Sequence, residues 1–224
     1  SLLRTRLRAG CWPIEAHGTD RLASVTFTNG ARSWTRDCDY LACAFGLIPN
    51  LQWPMLLGCQ IEDDVVRVDR WQRTSVARVF CAGEAAGVAG VESALVQGQI
   101  AGLAAAGRER AAQRLFAQRD RYQRFARALG DAFRLRAELR TLATDDTVIC
   151  RCEDVTWQQI KVYDDLRSAK LQTRCGMGFC QGRICHNALQ QLKGWPADLI
   201  RPPLAPTHIG SLVGMANGLD QQRR

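Results

Sequence analysis

The sequence lacks any long apolar run. Its composition is 46% hydrophobic and 23% charged, and no uninterrupted apolar stretch approaches the roughly 20 residues that a membrane-spanning helix needs. Residues 1–10 alternate leucine with arginine instead of building an apolar block behind a charged cap, so they do not resemble a secretory signal. We therefore expect a soluble, cytoplasmic protein without a membrane span, with peripheral association with the inner membrane as an alternative.

The sequence also lacks internal repeats, low-complexity blocks and any recognised nucleic-acid fold signature. This matters because the net charge is +8, and a positive field attracts nucleic acid, anionic lipid and acidic proteins alike. Much of the charge lies between residues 108 and 140, where Leu115, Tyr122 and Phe125 recur at roughly helical spacing. We expect a solvated helix face there, with docking of a protein partner as the alternative and no nucleic acid bound.

No catalytic acid or base stands out. The paired carboxylates Asp63-Asp64 and Asp164-Asp165 are expected to be solvated turn or helix-surface groups. The catalytic residues are therefore unknown from the sequence.

The ten cysteines fall into two groups. In a chain without a secretion signal, so many cysteines favour metal binding or reduced thiols over a disulfide framework. Five are scattered singly, and we expect them to be small buried hydrophobic residues: Cys11, Cys38, Cys43, Cys59 and Cys81. The other five crowd into one segment: Cys150, Cys152, Cys175, Cys180 and Cys185.

The spacing in the second group predicts a metal centre. On an extended backbone, residues two apart point to the same side, so the sulfurs of Cys150 and Cys152 should face one centre. The segment 173–185 contains three glycines, which let the backbone curl tightly and present N–H groups to inorganic sulfide. Nearby positive charge suits an anionic centre. It comes from Arg151, Arg174 and Arg183.

Helices should frame this centre. Thr156 is a candidate N-cap, and residues 164–171 are expected to form a second helix. A further helix beginning near Gln181 would direct the positive end of its dipole towards Cys185.

The two cysteine motifs of this segment resemble the bacterioferritin-associated ferredoxin-like [2Fe–2S] domain, in which a C-x-C pair is followed by a C-x(n)-C pair. They resemble more closely the flavoprotein subunit of opine oxidases, dye-linked proline dehydrogenases and hydrogen cyanide synthase, where C-R-C-E precedes T-R-x-G-M-G-x-C-Q-G-R-x-C. Here those motifs are residues 150–153 and 173–185. The resemblance makes Cys175, at a variable position, the spare cysteine. It implies four cluster ligands: Cys150, Cys152, Cys180 and Cys185.

Zinc is the competing metal, because four thiolates bind it tightly and His186 follows Cys185. Structural zinc sites usually use C-x2-C or wider pairs, which favours iron and sulfide here. We expect His186 to be a surface side chain. Two alternatives without oxidoreductase activity stay open: a zinc-stabilised interaction domain, and a free-standing iron–sulfur module.

The first hundred residues read as strands and turns followed by a helix. Predicted strands cover residues 21–28, 39–45, 65–69 and 79–82, with a hairpin turn at 29–30. A helix is predicted from about Glu92 to Ala106, ended by Gly107.

The stretches 44–50, 73–75 and 79–84 resemble the second half of a two-dinucleotide-domain flavoprotein of the disulfide-reductase type. By this resemblance, Glu84 after Gly83 holds the flavin ribityl chain, and a helix entered through Gly90 and Val91 points its N–H groups at the flavin ring. The G-x-G-x-x-G fingerprint that receives the pyrophosphate is absent from the sequence. FAD is therefore expected only when a preceding half or a partner completes the site, and we expect the chain to be part of something longer.

The resemblance implies an α/β fold: the back half of such a flavoprotein, followed by a small, mainly helical [2Fe–2S] domain. It implies an electron-transfer subunit, or a fragment of one, of a heteromeric amino-acid or opine dehydrogenase acting on CH–NH donors. Electrons would pass from a sarcosine-oxidase-like flavoprotein subunit to an acceptor such as a quinone or dye. The expected divisions are a partial dinucleotide-binding domain, a helical connector, the cluster domain and an extended tail: residues 1–106, 107–146, 147–195 and 196–224.

Overall fold

The structure is a computed structural model that describes residues 8–196, 200, 202–204 and 207–213. The chain divides into two compact units, one formed by residues 1–46 with 135–198 and the other by 47–134 with 199–224. Small sheets and helices alternate along the chain, so the α/β character expected from the sequence is confirmed. Within the described residues, no helix combines the length and apolar composition needed to cross a bilayer.

The elements are short except for two helices. The strands are β1 (Trp12–His17), β2 (Ser24–Thr28), β3 (Ser33–Asp37), β4 (Ile61–Glu62), β5 (Val65–Val66), β6 (Val148–Cys150) and β7 (Val155–Thr156). The helices are α1 (Gln52–Leu56), α2 (Val91–Ala105), α3 (Glu109–Gln113), α4 (Phe116–Ala132), α5 (Trp157–Ile160), α6 (Leu166–Thr173) and α7 (Cys185–Lys193). Short 3₁₀ turns cover Glu84–Ala86 and Ala137–Thr141.

Strands β1, β2 and β3 form an antiparallel meander in the first unit. The predicted turn between β2 and β3 is confirmed, because Asn29 Oδ1 accepts the N–H groups of Ala31 and Arg32, and Gly30 takes a φ of 87°. Phe27 and Trp34 lie opposite each other on β2 and β3 with their rings stacked 6.4 Å apart. These interactions fix the register of the hairpin.

The cysteine-rich part of the first unit has its own apolar core, in which Ile160, Ala169 and Leu189 are fully buried. The predicted cap at Thr156 is confirmed, since Gln159 Oε1 accepts the Thr156 N–H at 2.9 Å in a capping box. Asp165 caps α6 by accepting the Ser168 N–H at 2.8 Å. These caps set the directions of the short helices around the cysteines.

In the second unit, α2 packs on α3 and α4 through Val96, Ile100, Ala112 and Phe116. The helix predicted for this region is confirmed, and Gly107, at a φ of 71°, follows its end. Trp71 lies edge-on to Phe116 at 4.9 Å between ring centroids. The longest helices therefore surround a small core of their own.

The arginine-rich stretch is largely solvent-exposed, as expected, but Arg119 of α4 is an exception. Its guanidinium donates to the Arg70 carbonyl at 2.6 Å and pairs with Asp120, while it lies 4.6 Å from the Phe116 ring centroid. Only 10% of the side chain is exposed. Arg119 thus packs against the core of this unit, unlike the exposed arginines of the same stretch.

Two predicted strands are wrong. Residues 39–45 lie in irregular, exposed backbone, and residues 79–82 contribute only an isolated bridge between Phe80 and Arg73. An apolar run becomes a strand only beside a partner strand, and no described residue pairs with 39–45. Of the predicted tail from residue 196, most lies outside the described residues.

Candidate metal centre

Three buried cysteines meet in the first unit. Cys150 ends β6, Cys175 follows α6, and Cys185 begins α7. Their exposed fractions are 2%, 0% and 1%. The three Sγ atoms all lie within 4.8 Å of one another. Two thiolates on one tetrahedral metal lie about 3.8 Å apart when the metal–sulfur bonds are about 2.3 Å, so a small closure would bring all three sulfurs onto a common metal.

Backbone hydrogen bonds hold this group in place. β6 is tied to β7, where Cys150 is paired with Val155. The Cys175 N–H donates to the Thr173 hydroxyl at 3.2 Å, and the next N–H, of Gly176, donates to Cys150 Sγ at 3.5 Å. The glycine loop therefore directs a backbone donor at a cysteine sulfur, whereas the expectation that loop N–H groups face inorganic sulfide stays a prediction.

Cys152 and Cys180 lie at the surface side of the group. Cys152 is exposed and Cys180 is partly buried. The expectation that an extended backbone turns Cys150 and Cys152 to the same side is wrong, because β6 ends at Cys150 and residues 151–154 form a turn in which Asp154 has a φ of 50°. Cys152 nevertheless reaches the thiol of Cys180.

The pKa values of Cys180 and Cys185 shift in opposite directions. At Cys180, desolvation acts to raise the pKa, but contact with the Cys152 thiol and with loop N–H groups outweighs it, so the pKa of the thiol lies below its ordinary value. Those N–H groups belong to Gly182, Ile184 and Arg183. Contact with the Cys175 side chain, together with burial, raises the pKa of Cys185. The loop N–H groups thus favour the thiolate form of Cys180, whereas burial and the Cys175 side chain disfavour the thiolate form of Cys185.

The loop glycines are required by close packing. A Cβ on residue 178 would lie 2.3 Å from the Cβ of Cys152. At Gly176 and Gly182 a Cβ would lie 2.1 Å and 2.3 Å from ring atoms of His186, and both residues have positive φ. His186 is partly buried with its Nε2 atom covered, so the expectation of a surface side chain is wrong. Sequence reasoning missed this packing because adjacency to Cys185 does not reveal which way the ring turns.

Arg174, one of the three arginines near the cysteines, forms an ion pair within the chain. Arg174 donates to Glu153 at 2.9 Å, while Arg151 and Arg183 are exposed. Helix α7 begins at Cys185 itself and not near Gln181, because Gln181 and Gly182 have left-handed φ values of 52° and 78° that interrupt a helix. Its N-terminal end therefore coincides with a cysteine of the group.

The residues expected to approach a flavin lie in the second unit. Gly83 has a φ of 81° and lies against Ala94 of α2, 3.5 Å from where a Cβ would stand. Glu84 is exposed at the start of a 3₁₀ turn. Gly90 precedes α2 and Val91, its first residue, is exposed. The structure thus places the four residues around the turn and along the start of the helix that follows it.

Two polar residues that sequence reasoning missed hold this turn. Gln97 is buried in α2, and its Oε1 accepts the Gly83 N–H at 2.7 Å while its Nε2 donates to Ser93 at 3.3 Å. The Gln97 side chain is buried, and a buried polar group needs a hydrogen-bond partner, which here is the turn. An open cleft of about 350 Å³ lies beside Gln97, between the turn 86–89 and α4.

The donor set at the cysteine group fits a soft metal. Five thiols lie in one segment, and backbone N–H groups point at two of them. Thiolates select zinc or iron–sulfur clusters over the oxygen-seeking cations. The residues present therefore suit either a four-thiolate [2Fe–2S] cluster or a zinc ion.

Comparison with curated proteins finds relatives that align with most of this chain. The chain is 32% identical over 232 residues to the hydrogen cyanide synthase subunit HcnB of Pseudomonas protegens, covering 91% of this chain and 48% of that protein. It is 32% identical over 207 residues to HcnB of Pseudomonas aeruginosa, covering 80% and 44%. It is 30% identical over 234 residues to an opine oxidase subunit of Rhizobium meliloti, covering 92% and 44%.

The chain therefore spans about half the length of the curated relatives it matches. No protein-family model and no solved structure matches it.

Proposed function

We propose that this chain is an electron-transfer part of a heteromeric amino-acid or opine dehydrogenase, and that it carries a [2Fe–2S] cluster. The observation that carries the proposal is the meeting of three buried cysteines, Cys150, Cys175 and Cys185, beside a glycine loop whose N–H groups point at sulfur. The similarity to subunits of hydrogen cyanide synthase and opine oxidase supports it. The ligands we propose are Cys150, Cys152, Cys180 and Cys185.

Such a cluster, when bound, accepts and passes on single electrons. Backbone N–H groups of this chain would stabilise the negative charge of the four thiolates. Gly176 N–H donates to the sulfur of Cys150, and loop N–H groups favour the thiolate of Cys180. Hydrogen bonds of this kind stabilise the more negative state and so raise the reduction potential. Gly178 leaves room for Cys152 to turn towards Cys180.

The second unit would meet FAD only together with further protein. We propose that Gly83, Glu84, Gly90 and Val91 lie beside the flavin when the preceding half of the relatives, or a partner chain, supplies the pyrophosphate site. The exposure of Glu84 and Val91 supports this, since both are open to an incoming group. The N-terminal N–H groups of α2 would then favour an electron-rich flavin ring.

The partner that oxidises the C–N bond is proposed to be a sarcosine-oxidase-like flavoprotein subunit, with a quinone or dye as the final acceptor. The cysteine loop exposes large apolar side chains that suit a close approach of another protein. Phe179 is 95% exposed and Ile184 is 73% exposed. A site of action in the cytoplasm, free or peripheral on the inner membrane, belongs to the same proposal.

The test is the visible spectrum of anaerobically purified protein before and after dithionite, with iron, zinc and acid-labile sulfide assayed on the same sample. We expect about two irons and two sulfides per chain and bleaching on reduction. A Cys150→Ala variant should lose the colour, whereas Cys59→Ala, which removes a buried cysteine of the second unit, should keep it. A colourless protein with about one zinc and no sulfide would overturn the electron-transfer proposal in favour of a structural zinc domain.

A further inference from the structure

Cys175 occupies a place that its role as a spare cysteine does not explain. It is fully buried, and its sulfur lies within 4.8 Å of those of Cys150 and Cys185. Both of these neighbours are proposed ligands. By contrast Cys152, the remaining ligand proposed from the 150–153 motif, is exposed.

The position of Cys175 is fixed by the fold. Its N–H donates to the Thr173 hydroxyl, which in turn donates to the Ala169 carbonyl of α6 at 2.6 Å. The following residue, Gly176, donates to Cys150. Hydrogen bonds on both sides of Cys175 therefore tie its backbone to a helix end and to a ligand, so its sulfur is held at the centre.

Cys152 lies outside this buried group. It lies in the turn 151–154, beyond the end of β6, and its contact in the group is with Cys180. Solvent reaches Cys152, so oxidation or ligand loss begins there more easily than at a buried thiol.

We propose that Cys175 is a reserve ligand, which takes the place of Cys152 when Cys152 leaves the metal. In the exchange one iron–sulfur bond to Cys152 breaks and one to Cys175 forms. The proton of the Cys175 thiol passes to the released Cys152 thiolate, and no electron is transferred. The inference rests on the proposed [2Fe–2S] function and adds a second coordination state to it.

The experiment compares Cys152→Ala, Cys175→Ala and the double variant with the wild type and with Cys59→Ala as a matched control. Alanine is used because a serine hydroxyl can itself bind iron. Each protein is reconstituted anaerobically with iron and sulfide, assayed for both, and examined by electron paramagnetic resonance after dithionite. Far-UV circular dichroism checks that each variant is folded.

We expect Cys175→Ala and Cys59→Ala to match the wild type in content and spectrum. Cys152→Ala should keep more than about half of the iron and sulfide with shifted g values, because one sulfur ligand has changed position. The double variant should retain less than about a tenth, since three thiolates leave one coordination site empty.

Three results would overturn the reserve role. Cys152→Ala could lose as much iron as the double variant, Cys175→Ala could lose its cluster with Cys152 present, or the double variant could keep it. A wild-type protein without iron and sulfide would instead refute the proposed function, and the inference with it, so the two failures are distinguishable.

Discussion

The cysteine region and the turn around Glu84 differ in how much of a site the chain supplies by itself. Between residues 148 and 193 the chain provides thiols, N–H donors and the glycines that let them approach. Around Glu84 it provides a turn, a helix N-terminus and an open cleft. A metal centre built from sulfur ligands is compact enough for about fifty residues, whereas a dinucleotide needs two or more strand ends and a pyrophosphate loop. The first site can thus be tested in this chain alone.

The largest expected effect comes from removing the metal. We expect amide-exchange protection to fall by at least about tenfold in residues 148–193, because metal binding free energy is also folding free energy. Residues 91–132 should change little, since α2, α3 and α4 have their own apolar core. Hydrogen exchange with mass spectrometry, on the holo and metal-stripped protein, measures both regions at once.

An equal loss of amide-exchange protection in residues 148–193 and 91–132 would contradict this prediction. It would mean that the helical core depends on the metal centre for its stability. Unchanged protection in both would mean that the buried thiols stay in place without a metal.

A smaller effect is expected from Gly178→Ala. The added methyl group would stand 2.3 Å from the Cβ of Cys152, so the loop or Cys152 must move. Iron content should fall to less than about half when Gly178→Ala is combined with Cys175→Ala, because Cys152 is displaced and the proposed reserve thiol is absent. The measurement is iron and sulfide per chain, with Gly130→Ala as a control, since a Cβ on residue 130 meets nothing within 4 Å. A full metal content in the variant that carries both Gly178→Ala and Cys175→Ala would show that Cys152 is not needed where it stands.

The helical unit should respond to Arg119→Met without any change at the metal. The substitution removes the hydrogen bond of a charged group to the Arg70 carbonyl and the ion pair with Asp120, and we expect the free energy of unfolding to drop by about 2 kcal/mol. Urea denaturation followed by helical circular dichroism measures the drop. Arg124→Met, at an exposed position of the same helix, is the matched control and should lie within about 0.5 kcal/mol of the wild type. A metal content lowered by Arg119→Met would contradict the independence of the two regions.

Local signals in the sequence predicted local structure well. The Asn29-Gly30 turn, the Thr156 cap and helix α2 with Gly107 after it are all found as expected. Each depends on residues within a few positions of one another, so a short stretch contains the whole cause. The assignment of Cys150 and Cys185 to one site came instead from the resemblance to a known family, and the structure places their Sγ atoms within 4.8 Å of each other.

The features that could not be predicted from the sequence depend on the orientation of side chains and on contacts between residues far apart in the chain. The period-two argument placed Cys152 beside Cys150, but a turn begins right after Cys150. The burial of Cys175 and the orientation of His186 towards the loop glycines depend on how β6, α6 and α7 contribute to one core, which residue spacing does not encode. Residues 39–45 read as a strand because they are apolar, yet a strand requires a neighbour with free backbone groups. The four flavin residues stay a prediction, since a local pattern does not show what contacts them.

The smallest expected effect comes from a substitution at Gly98 in α2. Gly98 lies on an exposed face of α2 and a Cβ there meets nothing within 4 Å, so Gly98→Ala should stabilise this chain by about 0.5–1 kcal/mol through helix propensity alone. Urea denaturation of the isolated chain measures the gain. The same substitution can then be made in the chain joined to the remaining half of a relative. A gain that turns into a loss there would mean that the face of α2 with Gly98 is covered by the added protein or its cofactor. A gain that persists would mean that this face stays open to solvent, and that the helix approaches a flavin only through its N-terminal end.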